Sequence, residues 1–161
     1  MLQVVSSSAA PGHARRLREW LVAEWGEVEP FKSQSDGTVT VPLPLLGIDG
    51  QELLGGLMFS GFRKPGGDAL GLWINALFVA PEHRRKRIGS QLIRAAEVEA
   101  FRTGERELFA LTNLPKLYEN LGWQRVERST KGIVLRAVPA GEQHLPTEGP
   151  RDRWGEYERG F

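Results

Sequence analysis

Apolar positions along the chain change period several times, and each change marks an element. Leu2–Ser7 reads as a short first strand. From Pro11 the residues Leu17, Trp20, Leu21 and Trp25 recur at helical spacing, and Gly26 closes that segment. Val28–Gly37 has no period and reads as loop. Val39–Ile48 and Gln51–Phe62 are two β-like runs joined by Asp49-Gly50. Such a pair signals a hairpin, because tight hairpin turns need left-handed residues that glycine adopts freely. Pro42 and Pro44 lack the N–H a ladder requires, so the first run is expected at a sheet edge or as an irregular strand. Gly55-Gly56 predicts a bulge or a close backbone approach, and Arg63–Gly71 is turn-rich.

The central feature is Leu72–Ala80, an apolar run too short for an ordinary helix and expected as a buried strand. Pro81 ends it. Helical spacing resumes at Ile88, with Ile88, Leu92, Ala95 and Ala96 on one face, Arg94 and Glu97 outside it, and Thr103-Gly104 as the stop. Glu107–Thr112 reads as another strand. Asn113 is then expected to cap a short helix in which Leu114, Leu117, Tyr118 and Leu121 share the inner face, ended by Gly122. Trp123–Thr130 and Gly132–Val138 read as two closing strands around a turn near Lys131. Residues 1–138 thus form one domain, and 139–161 is a Pro/Gly/charge-rich tail without period that carries Trp154, Tyr157 and Phe161.

Composition narrows the classes. A chain of 161 residues suits a single domain with a real core. A net charge of +1 supplies no basic field for nucleic acid, and the absence of cysteine excludes disulfides, thiolate metal sites and a thiol nucleophile. Met1–Ala10 is too polar for a signal core and no long apolar span follows, so the expectation is a cytoplasmic protein without membrane contact.

One local feature asks for a ligand. Arg84, Arg85, Lys86 and Arg87 crowd the start of the helix beginning at Ile88. A helix N-terminus already carries partial positive charge, so each cation there is unfavourable by roughly 0.3–1 kcal/mol. A bound phosphate would reverse that sign, held by free N–H groups, with Gly89 offering no Cβ and Ser90 a hydroxyl. A solvated basic turn is the plain alternative, and the cluster alone does not decide.

At these residues the stretch resembles motif A of the GNAT superfamily, the acetyl-CoA-dependent N-acetyltransferases. That motif, Gln/Arg-x-x-Gly-x-Gly/Ala, follows a strand and opens a helix. Here it stands as Arg84-Arg85-Lys86-Arg87-Ile88-Gly89, with Arg87 in place of the usual first glycine. The resemblance implies cofactor contacts from Arg84, Arg85, Lys86, Arg87, Ile88, Gly89 and Ser90. For Arg87 the expectation is an ordinary backbone, with the side chain leaning outward onto a phosphate. It also implies that the main chain at Phe78 and Val79 runs beside the pantetheine arm, with the Val79 N–H holding the oxyanion. Many members carry a catalytic glutamate early in this strand. Trp73, Ile74 and Asn75 stand there instead, so a base is either missing or works through water, with Asp68 and Glu82 as candidates.

The segment LTNLPKLYENLGW resembles motif B of the same superfamily, which implies Tyr118 as general acid and Asn113 as a cofactor contact. A phenol suits the role, being protonated at neutral pH and able to give its proton to a leaving thiolate. An inward aromatic is otherwise most often core, and His13, in the first turn of its helix, reads as solvated. Glu24, Glu27, Glu29 and Asp36 lie where the family often builds its amine pocket. The implied fold is mixed α/β, a mainly antiparallel sheet flanked by helices and split near the central strand. The implied activity is acetyl transfer from acetyl-CoA to a primary amine of a small molecule, without a metal. Peptide N-terminal acetylation and a non-catalytic coenzyme A sensor are the alternatives, and a homodimer is left open.

Overall fold

The computed structural model of the chain describes residues 1–26, 34–35, 38–140 and 151–152. Strand β1 (Leu2–Ser6) leads to helix α1 (Pro11–Trp25), and β2 (Gln34–Ser35) with β3 (Thr40–Val41) forms a small antiparallel pair. Then come β4 (Leu45–Asp49), β5 (Glu52–Arg63), β6 (Leu70–Val79), α2 (Ile88–Arg102) and β7 (Leu108–Thr112). A short α3 (Pro115–Glu119), β8 (Gln124–Ser129), β9 (Gly132–Ala137) and β10 (Arg151–Asp152) complete the order. Eight strands lie in one sheet in the order β1-β4-β5-β6-β7-β9-β8-β10. Neighbours are antiparallel except β6/β7 and β8/β10. This is the mixed α/β fold that the resemblance implied.

The prolines act as expected, with one refinement. Pro42 and Pro44 fall between β3 and β4, so the run 39–48 is broken in two rather than displaced to an edge. β4 itself is interior, paired to both β1 and β5. Gly50, at φ 61, turns the β4–β5 hairpin. The paired glycines of β5 serve both purposes foreseen for them. The register slips between Gly47 and Ile48, leaving Leu54 unmatched, and a Cβ on Gly55 would lie 2.5 Å from the Phe78 carbonyl oxygen. A Cβ on Gly56 would lie 2.5 Å from Leu17 Cδ2 and 2.8 Å from the Leu45 carbonyl oxygen. Gly56 therefore sets how closely α1 approaches the sheet. Gly56→Ala is expected to destabilise the fold by about 1–3 kcal/mol, since backbone cannot yield as a side chain can. Urea unfolding measures it, and an unchanged midpoint would show that α1 lifts off at no cost.

Two apolar layers cover the sheet. α2 buries Ile88, Leu92, Ile93, Ala96 and Ala100 against Leu57, Ile74 and Leu108 on one face. α1 buries Leu17 and Leu21 against Leu46 and Met58 on the other, while Trp25 stays 54% exposed. Two expected positions shift. Ile93 replaces Ala95 in the buried stripe of α2, and Glu97, expected outside it, has a side chain only 13% exposed. The helical period locates a face, but what packs over its margin is set by a segment further along the chain. Among the described residues no helix is long and apolar enough to cross a membrane. The tail aromatics Trp154, Tyr157 and Phe161, and the loop carboxylates Glu27, Glu29 and Asp36, lie outside the described residues.

Candidate active site

The parallel pair β6/β7 requires a crossover, and α2 supplies it, so the start of α2 sits beyond the C-terminal end of β6. Crevices at such strand ends are where α/β sheets hold ligands. Here the crevice is a fork. β6 pairs with β7 only through Leu72–Ile74 against Leu108–Ala110, whereas β5 stays with β6 as far as Val79. The register slips at the branch point, where Met58 faces Ala76 and Phe59 faces Ile74, leaving Asn75 as the bulged residue. Residues 71–74 are buried and 75–79 are all partly exposed, as an opened strand edge must be.

The ladder decides which main-chain groups face the fork. The Ala80 N–H donates to the Leu54 carbonyl at 2.9 Å, so that opposed pair is hydrogen-bonded. Antiparallel pairs alternate, so Gly56/Phe78 is bonded as well, while Leu77 and Val79 turn their N–H and C=O away from β5. The Arg84 Nε–H donates to the Val79 carbonyl at 2.9 Å, in keeping with that direction. Phe78, the other residue foreseen beside the arm, has its main chain turned to Gly56. Its ring lies on the α1 side, 5.6 Å from Trp20 and under the Arg84 guanidinium. Leu77 is the second residue whose main chain turns away from β5, and only the register reveals this.

At the mouth of the fork stands the basic loop. Arg84, Arg85, Lys86 and Arg87 are all exposed, and Arg85, Lys86 and Arg87 make no ion pair among the described residues. The Ile88 side chain is buried in the core, so only its N–H can meet a ligand; Gly89 and Ser90 are partly exposed. No side chain caps α2, which leaves its first N–H groups open. A Cβ on Gly89 would point at Leu77, Leu117 and Val79 at 3.9–4.0 Å, so this first turn, the open edge of β6 and α3 converge on one space.

The ordinary backbone expected at Arg87 is overturned. Arg87 has φ 64 and ψ 18, and Arg85 has φ 66, the two non-glycine residues of positive φ among those described. A left-handed residue followed by helical ones curls successive N–H groups toward one point, a shape that suits anions. Each such residue costs about 1–2 kcal/mol, and that strain is tolerated at sites with a function. The charge and the strain at Arg87 can be separated. Arg87→Ala removes the charge and keeps the strained conformation, whereas Arg87→Gly removes both. Arg87→Gly is expected to exceed Arg87→Ala in unfolding free energy by about 1 kcal/mol. Both should bind a diphosphate ligand more weakly than wild type, with a shallower salt dependence. Equal stability of the two in urea would mean that the backbone is unstrained.

Tyr118 lies on α3, 4% exposed, with its ring 4.9 Å from that of Trp123 and tilted 69° to it. Its hydroxyl makes no hydrogen bond among the described residues. The hydroxyl oxygen is not among the fully buried unpartnered side-chain atoms, so it is open to a ligand or to water. Burial raises its pKa and keeps it protonated. The cap of α3 differs from expectation. Leu114, not Asn113, immediately precedes the helix because Pro115 occupies its first position, and the Thr112 hydroxyl accepts the Leu114 N–H at 2.9 Å. Leu114 is 68% exposed and leaves the inner face. Asn113 is exposed at the end of β7, its Oδ1 3.1 Å from where a Gly132 Cβ would stand.

Neither candidate base lies at the branch point. Asp68 is exposed in the turn before β6. Glu82 is exposed beyond its far end, grouped with His83 and Glu52, where His83 Nε2 meets Glu52 Oε1 at 2.9 Å. At about 3.3 Å per residue, the four-residue span from Asn75 to Val79 already covers about 13 Å. Asn75 is the polar residue of β6, partly exposed, and its side chain makes no hydrogen bond among the described residues.

The sheet thus divides at a branch point, with an uncapped, cation-rich helix start at its mouth and α3 beside it. The profile of the Acetyltransferase (GNAT) family matches residues 14–123, so the chain belongs to that family. Solved structures agree on the fold. A GNAT N-acetyltransferase (YhbS) from Escherichia coli in complex with CoA has 20% identity and a TM-score of 0.60, with 93% of this chain and 87% of that one covered. A GNAT acetyltransferase from Brucella melitensis in complex with acetyl-CoA has 16% identity and a TM-score of 0.61, covering 94% of each. The ribosomal-protein-S18-alanine N-acetyltransferase of Escherichia coli has 15% identity and a TM-score of 0.58, covering 91% of this chain and 99% of that one. No curated protein matches the sequence.

Proposed function

We propose that the protein transfers the acetyl group of acetyl-CoA to a primary amine of a small molecule by direct attack. The observation that carries this reading is the convergence, on one fork, of the uncapped α2 start, the open β6 edge and α3, the helix that carries Tyr118. Arg85, Lys86, Arg87 and the N–H groups of Ile88, Gly89 and Ser90 hold the diphosphate. The main chain of Val79, nearest the mouth, pairs with the pantetheine arm. The Leu77 N–H, two residues deeper, is better placed than that of Val79 to receive the oxyanion at the branch point. Asn75 meets the incoming amine.

The amine nitrogen, in its neutral form, attacks the thioester carbon. As the C–N bond forms, charge moves to the carbonyl oxygen and onto the N–H of the open edge. When the C–S bond breaks, Tyr118 gives its proton to the sulfur, and the ammonium formed on the acceptor releases one to water, which restores the phenol. The small-molecule acceptor is favoured by the resemblance of LWINALFVAPEHR and YENLGW to the branch acting on small amines.

Two measurements test the reading. Acetyl-CoA, but not adenosine, should raise the melting temperature, by the equivalent of about 2.7 kcal/mol at a hundred times Kd. No shift at millimolar acetyl-CoA would remove the donor site. A panel of amines then identifies the acceptor, and a free peptide N-terminus consumed faster than every small amine would transfer the assignment to peptides.

A further inference from the structure

We infer that Glu97 is a positioning residue for proton donation, holding Tyr118 in place through the indole of Trp123. The inference rests on the reading of Tyr118 as the general acid. A phenol without a hydrogen bond of its own is oriented by packing alone, so whatever fixes its neighbour fixes its aim. That neighbour is Trp123, 3% exposed, which follows the left-handed Gly122 (φ 94) as the chain reverses out of α3. Trp123 addresses Tyr118 twice. Its main-chain N–H donates to the Tyr118 carbonyl at 3.1 Å, and its ring stands edge-on against the phenol at 4.9 Å.

The far end of the indole is pinned from another element. Trp123 Nε1–H donates to Glu97 Oε1 at 2.9 Å, and Glu97 Oε2 accepts from Arg94 at 3.0 Å. Glu97 stands on α2, roughly two turns beyond Gly89. The rigid helix whose start faces the phosphates therefore also carries the group that aims the acid. A neutral acceptor would satisfy a buried indole N–H for packing alone. This site keeps a carboxylate although burial disfavours its charge and raises its pKa against the pull of Arg94. An ionised acceptor makes the bond about twice as strong as a neutral one, which matters where orientation is the task.

The test combines single-turnover rates with calorimetric Kd for acetyl-CoA, well below each variant's melting temperature, with active sites counted from binding stoichiometry. Glu97→Ala should slow the chemical step roughly 10- to 100-fold, the range of a small misplacement, with Kd unchanged. Glu97→Gln keeps only a neutral acceptor for the indole and should recover the rate in part, to between that of Glu97→Ala and wild type. Trp123→Phe removes the tether, should slow the step likewise, and should make Glu97→Ala silent when added. In a Tyr118→Phe background Glu97→Ala should cost nothing more, because the group it aims is gone.

A wild-type rate in Glu97→Ala overturns the inference, as does a loss that simply adds to that of Tyr118→Phe. If Glu97→Ala does not fold, a wild-type rate in Trp123→Phe overturns it equally. A wild-type rate in Tyr118→Phe would instead remove the acid reading itself. Loss in Tyr118→Phe without loss in Glu97→Ala removes this inference alone.

Discussion

Tyr118→Phe is expected to slow acetyl transfer by roughly 10²–10⁴-fold, the usual contribution of a positioned proton donor, while acetyl-CoA affinity stays close to wild type. The substitution deletes one oxygen and keeps the ring, so the edge contact with Trp123 and the packing under α2 persist. The deleted hydroxyl has no hydrogen bond among the described residues, so no buried partner is stranded and the fold should not weaken. A purely structural tyrosine would give the opposite pattern, with stability altered and rate retained. Burial holds the phenol protonated through the neutral range, so the wild-type rate should show no loss attributable to its ionisation near neutral pH. Single-turnover rates decide the matter, and a variant keeping more than half the wild-type rate would return Tyr118 to the core.

Gly89→Val is expected to abolish most acetyl-CoA binding while leaving a folded protein. In the free chain a Cβ at Gly89 would meet Leu77, Leu117 and Val79 at ordinary contact distances of 3.9–4.0 Å, so nothing in the protein forbids it. The two γ-methyls would then occupy the space between α2, the open β6 edge and α3, where the donor's arm must pass. Overfilling of that kind costs about 1–3 kcal/mol, or roughly ten- to a hundredfold in Kd. Because the obstruction is steric, the loss should be the same at low and high ionic strength, unlike that of Arg87→Ala. Wild-type affinity in calorimetry would place the arm elsewhere.

Much of the site's content is legible in the sequence. The apolar run Leu72–Ala80, the basic turn after it and the helical period from Ile88 correspond to β6, the loop and α2. Tyr118 lies on an inward face as its spacing implied. These are local properties, since a strand, a turn and a helix each declare themselves through the period and chemistry of adjacent residues.

What stayed hidden depends on partners distant in the chain. Asn75 is a bulge only because Met58 and Phe59 face Ala76 and Ile74. Leu77 rather than Phe78 points into the fork because Ala80 bonds Leu54 and the ladder alternates from there. Glu97 looks like a surface residue until Trp123 arrives 26 positions later to share its carboxylate.

The sequence by itself determined which elements form, in what order, and that cations and a glycine open α2. Those outcomes follow from side-chain period and from the conformational limits of glycine and proline. Only the tertiary structure decided that the sheet divides after Ile74 and Ala110, that Arg87 is left-handed, and that Leu114 rather than Asn113 stands at the start of α3. Strand pairing, backbone handedness and cap choice are each selected by contacts made after the elements meet. The energies separating the alternatives are only about 1–2 kcal/mol, within reach of packing and below what local sequence preference can reveal.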